Sequence, residues 1–351
     1  MPRPVTRAAS RLFAALLPLL VLLAVAPPEA GAAETPAGHA ARPPKARVLC
    51  HLEGSRIIES SGLVDHGPLL FTTNDSGDGP YLYGVAKATG RTVVTTTYSS
   101  DRPTDVEALA PGGHGSVWVG DIGDNTARRS SIAVYHVREH GLPEQVNAPR
   151  YTLSYPDGPH NAETLLASPS TGRLYVVTKA LTGGTVYAAP THLEAGHRNQ
   201  LRRVTDVPGL ITDGAFLPDG RHVVLRTYGT ATVYTFPGFE ALGTFRLPAQ
   251  RQGEGLAVSA RGTLYLSSEG RATPILEVAL PVGVATRADA PAATGLGPSP
   301  SSPPATMLRQ HRHAGPRSTN RLLWIGVAAV VAAVAVWVLI TFALPRSRRR
   351  Q

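Results

Sequence analysis

Between about residues 46 and 280, short runs of apolar and β-branched residues alternate with turns rich in glycine, proline, asparagine and aspartate. Runs such as LLFTT at 69–73, SVWVG at 116–120 and HVVLRT at 222–227 have the length and composition of β-strands. Turns such as PGGHG at 111–115 contain residues that fix or free the backbone φ angle. No long stretch has the 3.6-residue period of an amphipathic helix, so the pattern predicts an all-β fold.

An acidic motif recurs five times, and a similar series of strands follows each copy. Successive copies are 41 to 56 residues apart, close to the length of one blade of a β-propeller. The acidic residues of the five motifs are Glu59, Glu107, Glu163, Asp213 and Glu254. The repeat predicts a five-bladed β-propeller. A six-bladed propeller is the alternative if the long second unit contains a further blade.

The fifth unit lacks a fourth strand, because the composition changes after Leu280. Residues 46–52, ARVLCHL, resemble the fourth strands of the other units. We therefore expect residues 46–52 to complete the last blade beside residues 275–280. Closure of this kind leaves no open sheet edge.

Both ends of the chain have the composition of targeting and membrane segments. Residues 1–33 combine early arginines, an apolar run and small residues, which predicts a secretory signal peptide; an uncleaved anchor is the alternative. Residues 322–344 are an uncharged apolar segment of 23 residues, long enough to span a bilayer of about 30 Å. Arginines dominate residues 345–351, and the positive-inside bias places this tail in the cytoplasm. The sequence thus predicts a single-pass cell-membrane protein with its propeller outside.

Two further segments connect these parts of the chain. Residues 34–45 are a short linker before the propeller of residues 46–280. Residues 281–320 are rich in Ala, Pro, Ser, Thr and Gly, a composition that does not build a core. We expect residues 281–320 to form a semi-rigid extended stalk.

The net charge of +9 does not indicate a nucleic-acid partner. Residues 34–281 contain 22 Lys and Arg and 23 Asp and Glu, so the positive excess is confined to the ends of the chain. A balanced folded region offers no basic surface for DNA or RNA. The one cysteine, Cys50, excludes an internal disulfide, and we expect it to be a small buried apolar residue.

The motif acids are the main candidates for a functional site. The first strand of each propeller blade lines the central channel, so five equivalent acids should converge there. A second set of polar residues follows the acids at intervals of 13 to 16 residues: Asn74, Asp121, Lys179, Arg226 and Glu269. Nearly constant spacing predicts that this second set lies at one mouth of the channel.

The turns NDSGD at 74–78 and GDIGDN at 120–125 resemble each other and offer hard oxygen ligands of the kind that Ca²⁺ prefers. Our candidate metal ligands are Glu59, Asp105, Glu107, Asp121, Glu163, Asp213 and Glu254. Our candidate ligand-binding residues are Asn74, Asp75, Lys179, Arg226 and Glu269. The alternatives are that Asp and Asn only shape these turns, and that Lys179 and Arg226 neutralise the acids internally.

Signals for a particular enzyme class are weak. The sequence has no G-x-S-x-G elbow, no P-loop and no H-E-x-x-H motif. Lys179, Arg226 and His160 are the candidate catalytic residues. His160 is included because it precedes Glu163 by three residues and histidine titrates near neutral pH.

The motifs resemble those of bacterial propellers of the SdiA-regulated and phytase-like esterase group. The matching segments are ESSGL at 59–63, NDSGD at 74–78, DVEALA at 105–110 and EGLA at 254–257. The resemblance covers about residues 46–280 and implies a propeller fold; propellers host enzymes and binding proteins alike.

Three functions are therefore compatible with the sequence. We expect an outward-facing binding or interaction module that engages a small molecule, a cell-wall component or a protein at its channel mouth, together with Ca²⁺. The alternative is a metal-assisted esterase or phosphatase, with Asp121, Glu107 and Glu163 holding the metal and Lys179 and Arg226 an anion. The third possible function is that of a structural domain without a binding or catalytic site.

Overall fold

The computed structural model describes residues 44–289, except Ser76, Ser100 and residues 139–143. In chain order its elements are β1 (Ala46–His51), β2 (Ser60–His66), β3 (Leu69–Asn74), β4 (Tyr81–Ala86), β5 (Thr92–Thr97), β6 (Val106–Gly113), β7 (Ser116–Asp121), β8 (Ile132–Arg138), β9 (Glu144–Gln145), β10 (Arg150–Ser154), β11 (Ala162–Ala167), β12 (Leu174–Thr178), β13 (Gly184–Ala188), β14 (Arg198–Gln200), β15 (Arg202–Val207), β16 (Asp213–Phe216), β17 (His222–Arg226), β18 (Thr230–Thr235), β19 (Ala241–Arg246), β20 (Gly253–Val258), β21 (Leu264–Ser268), β22 (Pro274–Val278) and α1 (Val282–Asp289).

These strands form five sheets, which confirms the all-β, five-bladed propeller. From the channel outward, the blades are β2-β3-β4-β5, β6-β7-β8-β10, β11-β12-β13-β15, β16-β17-β18-β19 and β20-β21-β22-β1. The innermost strands β2, β6, β11, β16 and β20 contact each other in a closed ring. They therefore surround the channel, as the repeat predicted.

Burial explains why the strands differ in composition. In β2, five successive residues from Ser60 to Val64 are buried, whereas in the outer strand β19 only Phe245 is. An added Cβ on Gly62 would lie 2.4 Å from the Leu109 backbone nitrogen, so glycine lets β2 and β6 approach closely. Five hydrophobic clusters lie in the spaces between neighbouring blades and form the core.

The N-terminal strand closes the last blade, as predicted. β1 pairs antiparallel with β22, with Ala46 opposite Val278 and His51 opposite Pro274. Cys50 is buried, as expected, in the cluster between the fifth and first blades. Arg47 and Glu277 form an ion pair of 2.5 Å across the two strands. The first and last parts of the fold are thus held together by pairing and packing without a disulfide.

The long second unit contains no sixth blade within the residues that are described. Its surplus residues include β9, a short strand that pairs parallel with β5 at the outer edge of the first blade. In the same way β14, from the third unit, pairs parallel with β10 at the outer edge of the second blade. These additions cover outer edges that an isolated four-stranded blade would expose.

The predicted stalk does not begin directly after the last strand. α1 occupies residues 282–289, where an extended chain was expected. Pro281 precedes it, in a position that suits a helix start. Val284 and Ala288 are four residues apart and therefore share one helix face. Both are buried in the cluster between the fourth and fifth blades, so α1 belongs to the core.

Among the described residues, every strand and every buried hydrophobic residue lies between Ala46 and Ala288, and this segment includes the strand pair that closes the propeller. Within the part of the chain that the structure describes, no helix has the length and apolar character needed to cross a membrane. The predicted signal at 1–33, the rest of the stalk, the span at 322–344 and the tail at 345–351 lie outside the described residues.

Removal of β1 should destabilise the propeller. A chain that begins at Ser55 loses the pairing with β22 and the buried side chains of Cys50 and Leu52. We expect its free energy of unfolding to fall by about 3–5 kcal/mol, given that one buried aliphatic side chain contributes about 1.5–3 kcal/mol. Denaturant unfolding measures the loss. A chain that begins at Pro44 keeps β1 and is the control; equal stability of the two chains would contradict a closing role for β1.

Candidate functional site

Four of the five motif acids occupy equivalent positions at the start of the inner strands. Glu107, Glu163 and Glu254 are the second residues of β6, β11 and β20, and Asp213 is the first residue of β16. All four are buried. Each is followed by a small residue or threonine and then by Leu or Ala, in the sequences EAL, ETL, EGL and DGA.

In the first blade the equivalent residue is Ser61, not Glu59. The Asp75 N–H donates to the Glu59 carbonyl just as the Gly123 N–H donates to the Asp105 carbonyl. Glu59 therefore corresponds to Asp105, and Ser61 corresponds to Glu107. The segment SGL at 61–63, which aligns with EAL and EGL, is the sequence signal for this register. Ser61 Oγ donates to the Glu107 carbonyl oxygen at 2.7 Å and lies 3.2 Å from Glu107 Oε2.

The second set of predicted residues divides between two neighbouring positions. Asn74, Asp121 and Arg226 are the last residues of β3, β7 and β17. Lys179 and Glu269 lie one residue beyond the ends of β12 and β21, as Asp75 does after β3. Successive residues of an extended strand point to opposite faces, so the two groups serve different purposes.

Asn74 and Asp121 hold the backbone at the start of the inner strands. Asn74 Oδ1 accepts from the N–H groups of Ile58 and Glu59, at 3.0 and 3.1 Å. Asp121 Oδ1 accepts from the Asp105 N–H at 2.9 Å and forms an ion pair of 2.8 Å with Arg129. The similarity of NDSGD and GDIGDN therefore reflects one structural role. Asp121 is neutralised by Arg129, which sequence reasoning did not identify, and does not belong to the carboxylate cluster below.

Arg226 is inaccessible to a ligand because its side chain is fully buried. Its guanidinium donates to the Gly255 carbonyl at 2.9 Å and to Gln250 Oε1 at 3.2 Å. An added Cβ on Gly253 would lie 2.1 Å from Arg226 Nη2, so glycine provides the space for this group. Burial lowers the pKa of Arg226 to about 10, and the charges of Asp213 and Glu254 oppose that shift. The predicted ligand-binding and catalytic roles of Arg226 do not fit this environment.

Asp213 is also part of the connection between the fourth and fifth blades. Its carboxylate accepts from the N–H groups of Gly214 at 2.7 Å and Leu256 at 2.6 Å. Complete burial raises its pKa, and these backbone hydrogen bonds oppose the rise. Asp213 is therefore a buried carboxylate whose hydrogen bonds link two blades. It is not one of the three carboxylates that form the candidate metal site.

Three carboxylates converge at one end of the channel. Ligand oxygens of Asp75, Asp105 and Glu107 all lie within 4.8 Å of one another. Asp75 and Asp105 are half-buried, and Glu107 is buried. We call the end of the channel that carries these three residues the acidic mouth. Asp105 and Glu107 were predicted as metal ligands, whereas Asp75 was predicted only as a ligand-binding residue.

Glu107 is the residue most affected by this arrangement. Burial, followed by the charges of Asp75, Glu163 and Asp105, raises its pKa to about 10, and the hydrogen bond from Ser61 opposes the rise. A buried carboxyl group with so high a pKa takes up a proton at neutral pH unless a cation compensates its charge. The three oxygen donors therefore suit a hard divalent cation.

Lys179 neutralises Glu163 beside the acidic mouth. Its Nζ donates to the two Glu163 oxygens at 2.6 and 2.5 Å and to the Tyr228 hydroxyl at 2.7 Å. Burial alone would lower the pKa of Lys179, but these hydrogen bonds outweigh it and raise the pKa. An ammonium group has three donors, so all of them are used, and an anionic ligand would have to compete with Glu163. Tyr228, which the sequence did not single out, is 38% exposed.

Two other predicted residues, Glu269 and His160, do not join the three-carboxylate cluster. Glu269 has a raised pKa, caused by burial and then by the charges of Asp75 and Glu59. His160 bonds to Asp157 at 3.0 Å and lies 3.1 Å from the Tyr187 hydroxyl. This histidine thus belongs to an aromatic and acidic group on the third blade.

Glu254 should make the stability of the ion-free protein depend on pH near neutrality. Burial, and then the charge of Glu163, raises its pKa to about 7 from 4.5. Because the folded-state pKa lies above the unfolded one, this group's contribution to stability is complete below pH 4.5 and is lost as pH rises through 7.

We therefore expect Glu254→Gln, which stays neutral, to gain stability relative to the parent between pH 5 and 8. The gain should be on the order of 3 kcal/mol, as follows from the shift in pKa. Denaturant unfolding with chelator present measures it. Glu240→Gln, on an exposed turn, is the control. A constant difference between Glu254→Gln and parent across this range would contradict a buried, titrating Glu254.

Comparisons with known proteins place few limits on the function. No protein-family model matches the sequence, and a search of curated proteins finds no match. A gluconolactonase from Xanthomonas campestris is 16% identical over 63% of this chain and 72% of its own, with a TM-score of 0.40. A glucose dehydrogenase is 12% identical over 68% and 100%, with a TM-score of 0.42. A luciferin-regenerating enzyme is 10% identical over 63% and 78%, with a TM-score of 0.40. Likenesses at this level do not indicate what this chain binds or converts, and the motif resemblance to SdiA-regulated and phytase-like propellers stays a prediction.

Proposed function

We propose that this protein is an extracellular, membrane-anchored propeller that binds Ca²⁺ at its acidic mouth and uses the ion to bind an oxygen-rich ligand. The observation that carries the proposal is the convergence of Asp75, Asp105 and Glu107 within 4.8 Å. Carboxylate oxygens are the donors that Ca²⁺ prefers. A cation at this position would also compensate the charge of Glu107, whose burial otherwise favours the protonated form.

The residues around the cluster favour a ligand that binds to the Ca²⁺ ion over one that binds directly to Lys179 or Arg226. Lys179 is committed to Glu163 and Tyr228, and Arg226 is buried. The nearby Glu59, Glu254 and Glu269 add negative charge. A bound Ca²⁺ supplies the attraction that the mouth otherwise lacks, and it coordinates hydroxyl, carbonyl or carboxylate oxygens. The ligand class that fits is a polyhydroxylated or carboxylate-bearing molecule, such as a component of the cell wall.

The location follows from the sequence. The signal at 1–33, the apolar segment at 322–344 and the arginines at 345–351 support a single-pass protein with the propeller outside the cell and a short cytoplasmic tail. A site outside the cell also suits Ca²⁺, because extracellular calcium modules work with dissociation constants of about 10⁻⁴–10⁻³ M.

A second candidate function is metal-assisted hydrolysis of an extracellular ester. The observation in its favour is Glu254, whose pKa of about 7 suits a general acid or base. The motif resemblance to phytase-like propellers supports the same class. Against it, the anion-binding pair expected of such an enzyme is engaged elsewhere, since Lys179 bonds Glu163 and Arg226 is buried. A binding module is therefore the preferred function.

Calcium should stabilise the propeller through the acidic mouth. At a hundredfold excess over its dissociation constant, one bound ion raises the free energy of unfolding by about 2.7 kcal/mol. We expect the melting temperature of residues 44–289 to rise with CaCl₂ and to fall with chelator. Glu107→Gln should abolish most of this rise. Asp206→Asn removes one carboxylate from an exposed position and is the control, with an unchanged response. A parent protein that does not respond to calcium would rule out the cation site.

The same protein can test hydrolysis. Phosphomonoesters and carboxylic esters should show no calcium-dependent turnover if the protein is a binding module. Turnover that disappears with chelator and in Glu254→Gln, whereas Glu240→Gln retains it, would establish the hydrolase instead.

A further inference from the structure

A separate cavity of about 570 Å³ lies at the opposite end of the channel from the acidic mouth. All five blades contribute to its wall, through Leu63, Leu109, Leu165, Ala215 and Ala257 of the inner strands. The wall continues to the turns that follow these strands. Along β6, for example, it extends from Leu109 to Gly113, so its far end lies six residues, or about 20 Å of strand, beyond Glu107. We call this cavity the apolar chamber.

The lining of the apolar chamber contrasts with the acidic mouth. Leucine, valine, alanine and proline side chains dominate it. Asp65 is the charged lining residue, and Lys87 forms an ion pair with it. A charged ligand would lose its hydration without gaining a partner here, which makes its binding unfavourable. The volume is in the range of small-molecule sites, about 300–1,000 Å³. The chamber therefore suits a neutral, mainly apolar molecule.

A small polar group on the wall can orient such a molecule. His136 lines the chamber, and its Nε2 lies 2.8 Å from Ser116 Oγ, which donates to the Gly113 carbonyl at 2.6 Å. The His136 ring stacks on Trp118 with ring centroids 4.3 Å apart. Burial lowers the pKa of His136, so the ring is neutral. His114 is held in the adjacent turn with a φ of 47° and reaches the same cavity.

We propose that the apolar chamber is a second binding site, for a neutral, mainly apolar small molecule that offers one hydrogen-bonding group to His114 or His136. Apolar walls from five strands supply the attraction, and the two imidazoles supply orientation, the usual division of tasks in small-molecule sites. Since none of these residues belongs to the acidic mouth, binding here does not depend on Ca²⁺.

The other possible occupant is the chain itself. β22 leads into α1, and α1 lies beside the turns at Asp219 and Gly262, on the side of the propeller where the chamber opens. The sequence after α1 is therefore tested as an occupant by comparing a longer chain with residues 44–289, which contain all the described strands and buried core residues.

The test is a fluorescence titration of residues 44–289 with N-phenyl-1-naphthylamine, a neutral apolar probe. Trp118 is the tryptophan of this segment, so tryptophan excitation should give energy transfer to the bound probe. We expect saturable binding that chelator does not change. Ala215→Phe fills the chamber and should weaken binding at least tenfold. Ala241→Phe adds the same side chain at an exposed position of β19 in the same blade and should bind as the parent does.

If Ala215→Phe does not fold, Ala167→Phe, which fills the chamber from the third blade, takes its place. Trp118→Phe should remove the energy transfer while direct excitation of the probe still reports binding. Absence of saturable binding, or equal affinity in the parent and both filling variants, overturns the proposal. Loss of binding when residues 290–351 are restored would also overturn it, because the chain's own segment would then fill the chamber.

Discussion

The burial of four carboxylates at one end of five converging strands is the constraint on which this site depends. A propeller brings equivalent positions of its inner strands together, so a repeated acid becomes a concentration of negative charge in a poorly solvated place. Each blade meets this cost differently. The first blade replaces the acid with Ser61, the third pairs Glu163 with Lys179, and the fourth satisfies Asp213 with backbone amides. Burial raises the pKa of all four acids, and it does so most clearly for Glu107 in the second blade, to about 10, against about 7 for Glu163 and Glu254.

Packing between blades supplies the stability that permits such a site. Every hydrophobic cluster combines residues of two neighbouring blades, so each blade buries its apolar side chains against its neighbours. Closure of the ring is therefore as important as the fold of any one sheet. β1 provides it from the beginning of the chain, and α1 covers the space between the fourth and fifth blades. The buried Arg226 crosses the same pair of blades through the Gly255 carbonyl.

The repeat in the sequence was sufficient to predict the fold, because strand alternation and motif spacing depend on local residue types. It predicted five blades and the pairing of β1 with β22. It did not predict β9 and β14, since parallel edge strands of two or three residues have no periodic pattern to detect. α1 was missed because its eight residues follow a proline and adjoin the Ala- and Pro-rich segment, so they look like part of a linker until Val284 and Ala288 are seen to be buried.

The site was predicted less completely, for a reason that lies in strand register. Glu59 stands two residues before the position of the other motif acids, and the hydrogen bond between Asp75 and Glu59 shows that Ser61 takes their place, as the alignment of SGL with EAL and EGL also indicates. A displacement of one residue likewise separates Asn74, Asp121 and Arg226 from Asp75, Lys179 and Glu269. In the first group, Asn74 and Asp121 accept backbone hydrogen bonds, and Arg226 donates to the next blade. The side chains of the second group lie near the acids of the channel.

The same register explains where function is to be expected. In the third and fourth blades the acids are compensated by Lys179 or by backbone amides, which leaves little for a ligand to gain. Between the first and second blades, Ser61 adds no charge, while Asp75 and Asp105 bring two further carboxylates to Glu107. Burial, and then the charges of Asp75, Glu163 and Asp105, raise the pKa of Glu107 to about 10. The asymmetry among the five blades therefore favours this position, between the first and second blades, for the cation that we propose.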